Sequence, residues 1–395
     1  MKRALTICLL SLILFAVAAA QNEKPVITIT PAIEQPLLEG RWEKVYNTIK
    51  DDSIRVDDPV SRLLMGHACL STQRNYGATK LFSTVTEPSD IKKYFDYVSK
   101  LANDNPDNAI AAYLAGDGYL RRGDYDSAIA GFTRAIEINH LLTIAYFQRG
   151  NTYELALGNK NNAIADYKSA IQINPRYARA YLNLGNIYHD RGDLESALKY
   201  YDDAVMADSQ YSQAFFNRAN VYFEQKEFDK AILEYDKAIM LRPLWSEAYY
   251  NRANVYLFGK EEWVNAIFDY DKAINFNTSY IPAIRNRGVA RSRNGEFAQA
   301  IADFTRVLQL KEDDAEAFSN RGNCWVQMGD YDKALNDYNQ AIHFDPRLAE
   351  AYENRGFLYM VHMNNKEKAC ADWKKACDLG RCDNYRLAQK NGDCE

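Results

Sequence analysis

Apolar residues recur along most of the chain at the spacing of amphipathic helices, and the same pattern returns every 34 or 35 residues. The third residue of every repeated segment is Ala and the eighth is Gly or Ala. In one segment Phe215, Ala219 and Tyr222 share a helix face, which makes a ridge with a notch. A period of this length predicts a helical array. The eight segments, called repeats 1 to 8, are 109–142, 143–177, 178–211, 212–245, 246–280, 281–314, 315–348 and 349–382.

A second amphipathic run follows within each segment, as in FDKAILEYDKAIMLRP, where Ala231, Tyr235 and Ala238 lie four and three residues apart. Glycines between the runs are typical of a helix end and a tight turn, as at Gly192, Gly295 and Gly329. Prolines near the segment ends stop the second helix, as at Pro175, Pro243 and Pro346. Each segment is therefore predicted to be a helical hairpin.

The pattern resembles the tetratricopeptide repeat, through Gly or Ala at position 8, Tyr at 11, Ala at 20, Phe or Tyr at 24, Ala at 27 and Pro at 32. The resemblance covers about 270 of the 395 residues. It implies an all-α fold, a right-handed superhelical solenoid of antiparallel helix hairpins. Arg291 and Val307 depart from the pattern in repeat 6. Repeats 2, 5 and 8 carry one extra residue, which we expect in the turn.

Both ends of the array diverge from the pattern, as is expected where a terminal unit faces water instead of a neighbour. Residues 36–108 are predicted to form divergent helical repeats, one of them starting at Pro59 with Gly66, Ala78 and Phe82 in register. The alternating tract in residues 21–35 favours an extended arm. Residues 383–395 are expected to cap the last repeat.

The first twenty residues, MKRALTICLLSLILFAVAAA, have the layout of a cleaved secretory signal peptide. An uncleaved membrane anchor is the alternative, but the apolar run is short for a span of about 20 residues. Loss of Lys2 and Arg3 takes the basic count from 48 to 46 against 53 acids, a net charge of −7. An exported, acidic chain without a further membrane segment is predicted, and nucleic acid is disfavoured as a partner.

Arginine occupies position 7 of six repeats, and position 23 is acidic in the same six. Where position 7 is Ala115 or Leu184, position 23 is Gly131 or Tyr200. This matching predicts ion pairs between the two helices of each hairpin, with a structural rather than a binding role. The predicted pairs are Arg149 with Asp166, Arg218 with Glu234, Arg252 with Asp269, Arg287 with Asp303, Arg321 with Asp337, and Arg355 with Asp372.

Asparagine recurs at positions 6 and 9, although each mid-helix Asn costs about 0.6 kcal/mol relative to Ala. In the resembled family the first helices line a concave groove, and an asparagine ladder in the helical repeats of protein O-GlcNAc transferases holds an extended peptide. An amide offers a donor and an acceptor together, so it can bind a peptide backbone without reading its side chains. The predicted ligand-binding residues are Asn183, Asn217, Asn251, Asn286, Asn320 and Asn354 with Gln148 at position 6, and Asn151, Asn186, Asn220, Asn254 and Asn323 at position 9.

The asparagine rows have two alternative origins that stay open: the residues were retained after duplication, or they form hydrogen bonds to a neighbouring helix or to water. Val289 and Phe357 interrupt the row at position 9. Because Arg is assigned to ion pairs and the small residue at position 8 to packing, only the asparagines are left without a predicted structural role. Aromatic residues at position 5 are expected to pack mainly in the core.

Four cysteines lie in the last 26 residues. Cys370 and Cys377 are about 10 Å apart along one predicted helix, beyond the roughly 7 Å limit for a disulfide. If the following segment folds back, Cys377 meets Cys382 and Cys370 meets Cys394. Zinc is the alternative, but there are no paired C-x2-C motifs and His362 is isolated. The two other mature cysteines, expected to be buried, are Cys69 and Cys324.

No catalytic motif accompanies the repeats, and the five histidines fall at unrelated repeat positions. We therefore expect no enzymatic activity, no cofactor and no metal. The primary hypothesis is an exported scaffold that holds an extended peptide or protein segment in the groove. The alternative is a structural assembly factor of an envelope or secreted complex that uses its convex face and edges.

Overall fold

The computed structural model describes residues 31–51, 59–71 and 85–395, and every regular element within these ranges is a helix. The predicted signal peptide, residues 21–30 of the predicted arm, and Ala78 and Phe82 of the divergent repeat lie outside the described residues. Among the helices that the structure describes, none combines the length and the apolar character needed to cross a bilayer.

Within the described ranges, four helices precede the regular array: α1 (Pro31–Leu38), α2 (Trp42–Asp51), α3 (Pro59–Ser71) and α4 (Pro88–Asp104). The first helices of repeats 1 to 8 are α5 (Ala109–Arg121), α7 (Thr143–Asn151), α9 (Ala178–Asp190), α11 (Ser212–Glu224), α13 (Ser246–Asn254), α15 (Ile281–Arg293), α17 (Ala315–Gln327) and α19 (Ala349–Val361). The second helices are α6 (Tyr125–Ile138), α8 (Lys160–Ile173), α10 (Leu194–Ala207), α12 (Phe228–Leu241), α14 (Trp263–Phe276), α16 (Phe297–Leu310), α18 (Tyr331–Phe344) and α20 (Lys366–Asp378). The chain ends with α21 (Asp383–Lys390).

The chain divides into two compact units, Met1–Ile187 with Met206–Ser209, and Tyr188–Val205 with Gln210–Glu395. In the first unit α5 packs against α4 and α6, and α7 packs against α6 and α8. In the second unit each hairpin closes on itself, and its second helix packs on the first helix of the next repeat. Both units are therefore all-α arrays in which successive helices pack together.

The small residue at position 8 lets the second helix approach the first closely. A Cβ atom added to Gly322 would lie 2.8 Å from Cε1 of Tyr338, and one added to Gly288 would lie 2.9 Å from Cε1 of Phe304. The ring at position 24 thus occupies the space that a larger residue would need. This contact explains why the position alternates only between Gly and Ala.

The first helix begins earlier than the sequence predicts. Residues 31–35 were expected in the extended arm, but they form the start of α1. Pro31 suits the first turn of a helix, because its missing N–H would have no helical partner there. Ile33 and Leu37 lie one turn apart and are both fully buried, so packing stabilises the helix. The prediction of an extended conformation for residues 31–35 was wrong.

The extra residue lies in the turn only in repeat 8, where Asn364 has a φ of +49°. In repeats 2 and 5 it is absorbed in the first helix, which continues as the π-helical segments Thr152–Ala156 and Val255–Lys260. The same backbone hydrogen bond closes the turn in all three repeats. The N–H of the residue that precedes the second helix donates to the carbonyl of position 11, as Glu262 does to Tyr256 at 2.9 Å. The extra residue must fit between these points, and a π turn holds one more residue than an α turn.

The C-terminal segment folds back on repeat 8. Ala388 of α21 is buried in a cluster with Ala369 and Trp373 of α20. The same fold-back places Cys370 with Cys394 and Cys377 with Cys382 at disulfide distance, with Cα atoms 5.5 Å and 3.9 Å apart. Cys69 and Cys324 are buried.

We predict that both cysteine pairs are oxidised in the native protein. Thiol titration of the chain without residues 1–20, in denaturant and without reductant, should find two thiols, those of Cys69 and Cys324. Reduction should raise the number to six, and Cys324→Ser should lower the unreduced value to one. Six thiols before reduction would contradict the prediction.

Candidate functional site

All six predicted arginine–carboxylate pairs are joined in the structure. In repeat 5 the Nε and Nη2 atoms of Arg252 donate to the two carboxylate oxygens of Asp269, each at 2.7 Å. The acids are buried, with exposures from 1% to 7%. The guanidinium fork matches a carboxylate, so each pair fixes the angle between the two helices of its hairpin.

Each arginine also reaches the preceding repeat, a contact that the sequence interpretation missed. Its Nη1 atom donates to a polar side chain that lies sixteen residues before it in every case. These acceptors are Thr133, Asp202, Asp236, Asp271, Thr305 and Asn339. The regular spacing was visible in the sequence, but the acceptors differ in residue type. The arginine therefore joins two hairpins as well as two helices.

The asparagines of positions 9 and 6 are hydrogen-bonded to each other between successive repeats. Asn251 Nδ2 donates to Asn220 Oδ1 at 3.0 Å, and Asn286 Nδ2 donates to Asn254 Oδ1 at 3.0 Å. The same contact joins Asn183 to Asn151 at 2.8 Å and Asn354 to Asn323 at 2.9 Å.

A buried tyrosine supplies a second donor to the position-9 asparagines Asn151, Asn220, Asn254 and Asn323. Tyr270 OH donates to Asn254 Oδ1 at 2.7 Å, and Tyr235 OH donates to Asn220 Oδ1 at 2.5 Å. Burial raises the pKa of both tyrosines well above their usual range, so the hydroxyls stay protonated and can donate.

The expectation that the asparagines lack a structural role was therefore wrong. Each bonded pair contributes net stability of about 1 kcal/mol, which offsets most of the roughly 1.2 kcal/mol that the low helix propensity of its two members costs. The sequence interpretation placed both rows on one face but treated each side chain separately. Hydrogen bonds between asparagines 31 or 32 residues apart, in successive repeats, explain why Asn recurs at positions where helix propensity alone disfavours it.

The pairing leaves half of each amide pair unused. Asn251 Oδ1 and Asn220 Nδ2 have no partner among the described residues and are not buried, and the same holds for Asn286 Oδ1 and Asn254 Nδ2. The Asn354 and Asn323 pair repeats the arrangement. Every such junction therefore offers one acceptor and one donor to a ligand.

The rows are not uniform along the array. Asn151 Nδ2 donates to Gln148 Oε1 at 2.9 Å, so this donor is already used. In repeat 6 position 9 is Val289, which cannot accept a hydrogen bond, and Asn320 of repeat 7 therefore makes no side-chain hydrogen bond to a described residue. Asn217 accepts from Gln213 Nε2 at 3.0 Å, and Asn186, like the other asparagines of the rows, is half-buried. The two successive junctions of repeats 4, 5 and 6 are the most regular part of the candidate site.

The position-5 aromatics pack mainly in the core, as expected. Tyr113 and Phe147 are buried, while Phe216 and Tyr250 are half-buried. Phe216 stacks on Trp245 with ring centroids 4.5 Å apart. These rings pack against other aromatic side chains of their own repeats.

A buried polar network near the N-terminus was missed from the sequence. His67 on α3 lies 3.0 Å from Asp117 and 2.7 Å from the hydroxyl of Tyr113, and Asp117 also accepts from Arg121 Nε at 2.6 Å. Tyr94 on α4 closes the network with its hydroxyl 3.2 Å from His67 Nε2. The isolated positions of these residues in the sequence gave no signal of their contact.

Within the described ranges, no group of three or more His, Cys, Asp or Glu side chains is arranged to hold a metal ion. What the site presents instead is a row of amide donors and acceptors on a braced helical array. This combination defines a helical repeat scaffold, a class whose members bind other proteins.

The chain contains tetratricopeptide repeats. A family model described as "TPR repeat" matches residues 154–190, 185–226, 219–259 and 325–361, and one described as "Tetratricopeptide repeat" matches residues 93–139. No curated protein matches the chain.

Solved structures with the same repeat are similar to parts of the chain. A tetratricopeptide repeat protein from Parabacteroides merdae is 23% identical over 62% of this chain and 98% of its own, with a TM-score of 0.48. YrrB, described as a TPR protein with an unusual peptide-binding site, is 27% identical over 48% of this chain and 97% of its own, with a TM-score of 0.41. PilW, described as a type IV pilus biogenesis factor, is 18% identical over 54% and 98%, with a TM-score of 0.48.

Proposed function

We propose that the chain is a non-enzymatic scaffold that binds an extended peptide or protein segment along its asparagine rows, in an exported compartment. The observation that carries the proposal is the unused donor and acceptor at the junctions Asn220–Asn251, Asn254–Asn286 and Asn323–Asn354. These atoms are held in place by the hydrogen bonds that the other half of each amide makes.

Fixed amides suit an extended backbone. A peptide residue has one N–H and one C=O, which match the acceptor of Asn251 and the donor of Asn220. Neither amide must lose freedom when the ligand arrives, because each is already held by its partner, and this lowers the entropy cost of binding. Recognition through the backbone would tolerate many ligand sequences.

The structure suggests a variant that separates binding from stability. In Asn220→Asp and Asn254→Asp, one carboxylate oxygen can keep both structural hydrogen bonds, while the outward donor becomes an acceptor. We expect the free energy of unfolding of the double variant to stay within about 1 kcal/mol of the wild type, because its internal contacts are retained. Peptide binding should weaken by at least about tenfold, since two donors are lost.

Binding is measured by capturing partners from the exported fraction with the immobilised chain, followed by fluorescence titration of the captured peptides. Asn162→Asp with Asn336→Asp is the matched control, because both residues are exposed on second helices and the charge change is identical. Unchanged partners and affinities in the double variant Asn220→Asp, Asn254→Asp, with the control also unchanged, would overturn the proposal.

The second candidate, a structural assembly factor, is favoured by exposed apolar residues on second helices. Leu233 and Met240 on α12, and Val264 and Phe268 on α14, are each more than half exposed. If the double variant Asn220→Asp, Asn254→Asp keeps its protein partners and the double variant Leu233→Ser, Met240→Ser loses them, the second helices are the binding surface.

Export is supported by the N-terminal sequence and by the two cysteine pairs at disulfide distance, because disulfides persist in oxidising compartments. Cell fractionation tests this part. Recovery of the chain only with reduced cytosolic proteins would contradict it.

A further inference from the structure

Arg179 is the second residue of repeat 3 and lies one helical turn before Asn183 on the same face. Its guanidinium carbon is 5.4 Å from the centre of the Phe147 ring. The Nη1 atom is buried without a hydrogen-bond partner, and among the described residues no carboxylate lies within ion-pair distance. The side chain as a whole is half-buried, so part of the guanidinium reaches solvent beside the asparagine row.

The other half-buried arginines of the first helices each meet a carboxylate. Arg149 pairs with Asp166, and Arg285 of repeat 6 donates to Asp314 at 2.6 Å and to Glu316 at 2.8 Å. Among positions 2, 5, 6 and 9 of repeats 2 to 5, Arg179 is the one basic residue. An unpaired cation at this place therefore differs from the rest of the array.

A half-buried guanidinium without an anion has lost water without regaining hydrogen bonds. The Phe147 ring compensates in part through a cation–π contact. A carboxylate would complete the compensation, since the planar guanidinium presents parallel N–H donors to two oxygens. Asn183 Oδ1, which accepts no hydrogen bond from a described residue, lies one turn further along the row.

We infer that Arg179 recognises an acidic side chain, Asp or Glu, of the segment bound along the asparagine row. The inference rests on the proposed function and adds one element of sequence preference to it. Asparagine junctions hold the backbone of any ligand, and Arg179 selects the register in which an acidic residue lies opposite repeat 3.

Selection from random peptides of about twelve residues displayed on phage tests both levels. The purified wild-type chain should enrich peptides that share an acidic residue at one position. Arg179→Gln should still enrich peptides, but without that acidic preference, whereas Arg179→Lys should keep part of it. Arg293→Gln, an exposed arginine on the first helix of repeat 6, is the matched control and should select as the wild type does.

Affinities then measure the contact directly. For the best acidic peptide, replacing its Asp or Glu by Asn or Gln should weaken binding to the wild type about tenfold and to Arg179→Gln less than about twofold. Enriched peptides with no acidic preference, or a preference unchanged in Arg179→Gln, would overturn the role of Arg179 alone. No enrichment by the wild type would overturn both the inference and the proposed function.

Discussion

Arg252→Ala is expected to destabilise the second unit by about 3 to 5 kcal/mol, because it leaves a buried carboxylate without its cation. Asp269 is 1% exposed and receives two hydrogen bonds from Arg252. The same arginine holds Asp236 of the preceding repeat. One substitution therefore loosens a hairpin and its junction with the repeat before it. Urea unfolding followed by circular dichroism measures the loss.

The loss should depend on pH in a defined direction. Burial raises the pKa of Asp269 even with Arg252 in place, and removal of the cation raises this pKa further. A carboxyl group whose folded pKa exceeds its unfolded pKa contributes most stability at low pH and loses it as pH rises through the folded pKa. The deficit of Arg252→Ala should therefore be smaller at pH 5 than at pH 7.5.

Two further variants test whether the destabilisation by Arg252→Ala comes from the loss of its ion pair. Arg293→Ala, at an exposed position, should change the free energy of unfolding by less than about 0.5 kcal/mol. Arg252→Met combined with Asp269→Leu should recover most of the loss, since an apolar pair of similar volume needs no compensating charge. An unfolding midpoint unchanged in Arg252→Ala would show that the pair does not brace the array.

The hairpins and the ion pairs could be predicted from the sequence, because each depends on a residue type that recurs at a fixed spacing in the repeats. Arg252 and Asp269 recur as a matched pair in six repeats, so covariation within one chain identified the contact. Small residues such as Gly322 likewise marked where the helices approach. These features follow from local geometry that every repeat shares.

Contacts between repeats and departures from the frame were harder to predict. The bond between Asn251 and Asn220 depends on how one hairpin stacks on the next, which no single repeat encodes. The π turn at Val255–Lys260 takes up the extra residue within the first helix, and the count of residues alone did not reveal where that residue would be placed. Helix α1 depends on burial of Ile33 and Leu37 against elements that precede the regular array.

At the divergent N-terminal end, the residues at position 9 are buried by a neighbouring helix and are no longer asparagine. In the frame that starts at Pro59, His67 is at position 9, and Asp117 is at position 9 of repeat 1. Helix α4 brings Tyr94 against them, and both side chains are at most 1% exposed. A charged and fully bonded network replaces the asparagine pair there. The asparagine row proposed to bind a ligand in the open repeats thus corresponds to a structural network at the buried end.

Asp117→Ala is expected to destabilise the first unit by about 3 to 5 kcal/mol, because it removes the acceptor that His67 and Arg121 share. Burial alone would raise the pKa of Asp117, but Arg121 and His67 outweigh it and hold this pKa well below its usual range. A depressed folded pKa contributes stability above the unfolded pKa, near 4, and loses it as pH falls. Wild-type stability should therefore decline between about pH 5 and pH 2, and Asp117→Asn should lack this part of the decline.

Hydrogen exchange with mass spectrometry localises the effect, because the network joins α3, α4 and α5 within the first unit. Protection in residues 59–71 and 109–121 should fall in Asp117→Ala, while repeats 4 to 8 should exchange as in the wild type. Asp107→Ala is the control, since this residue lies close in sequence but meets Arg134 at an exposed site. Equal protection in the Asp117 and Asp107 variants would mean that the buried network adds no more to stability than a surface ion pair. Loss of protection confined to α3, α4 and α5 would show that the buried His67–Asp117–Arg121 network stabilises the helices at the N-terminal end of the array.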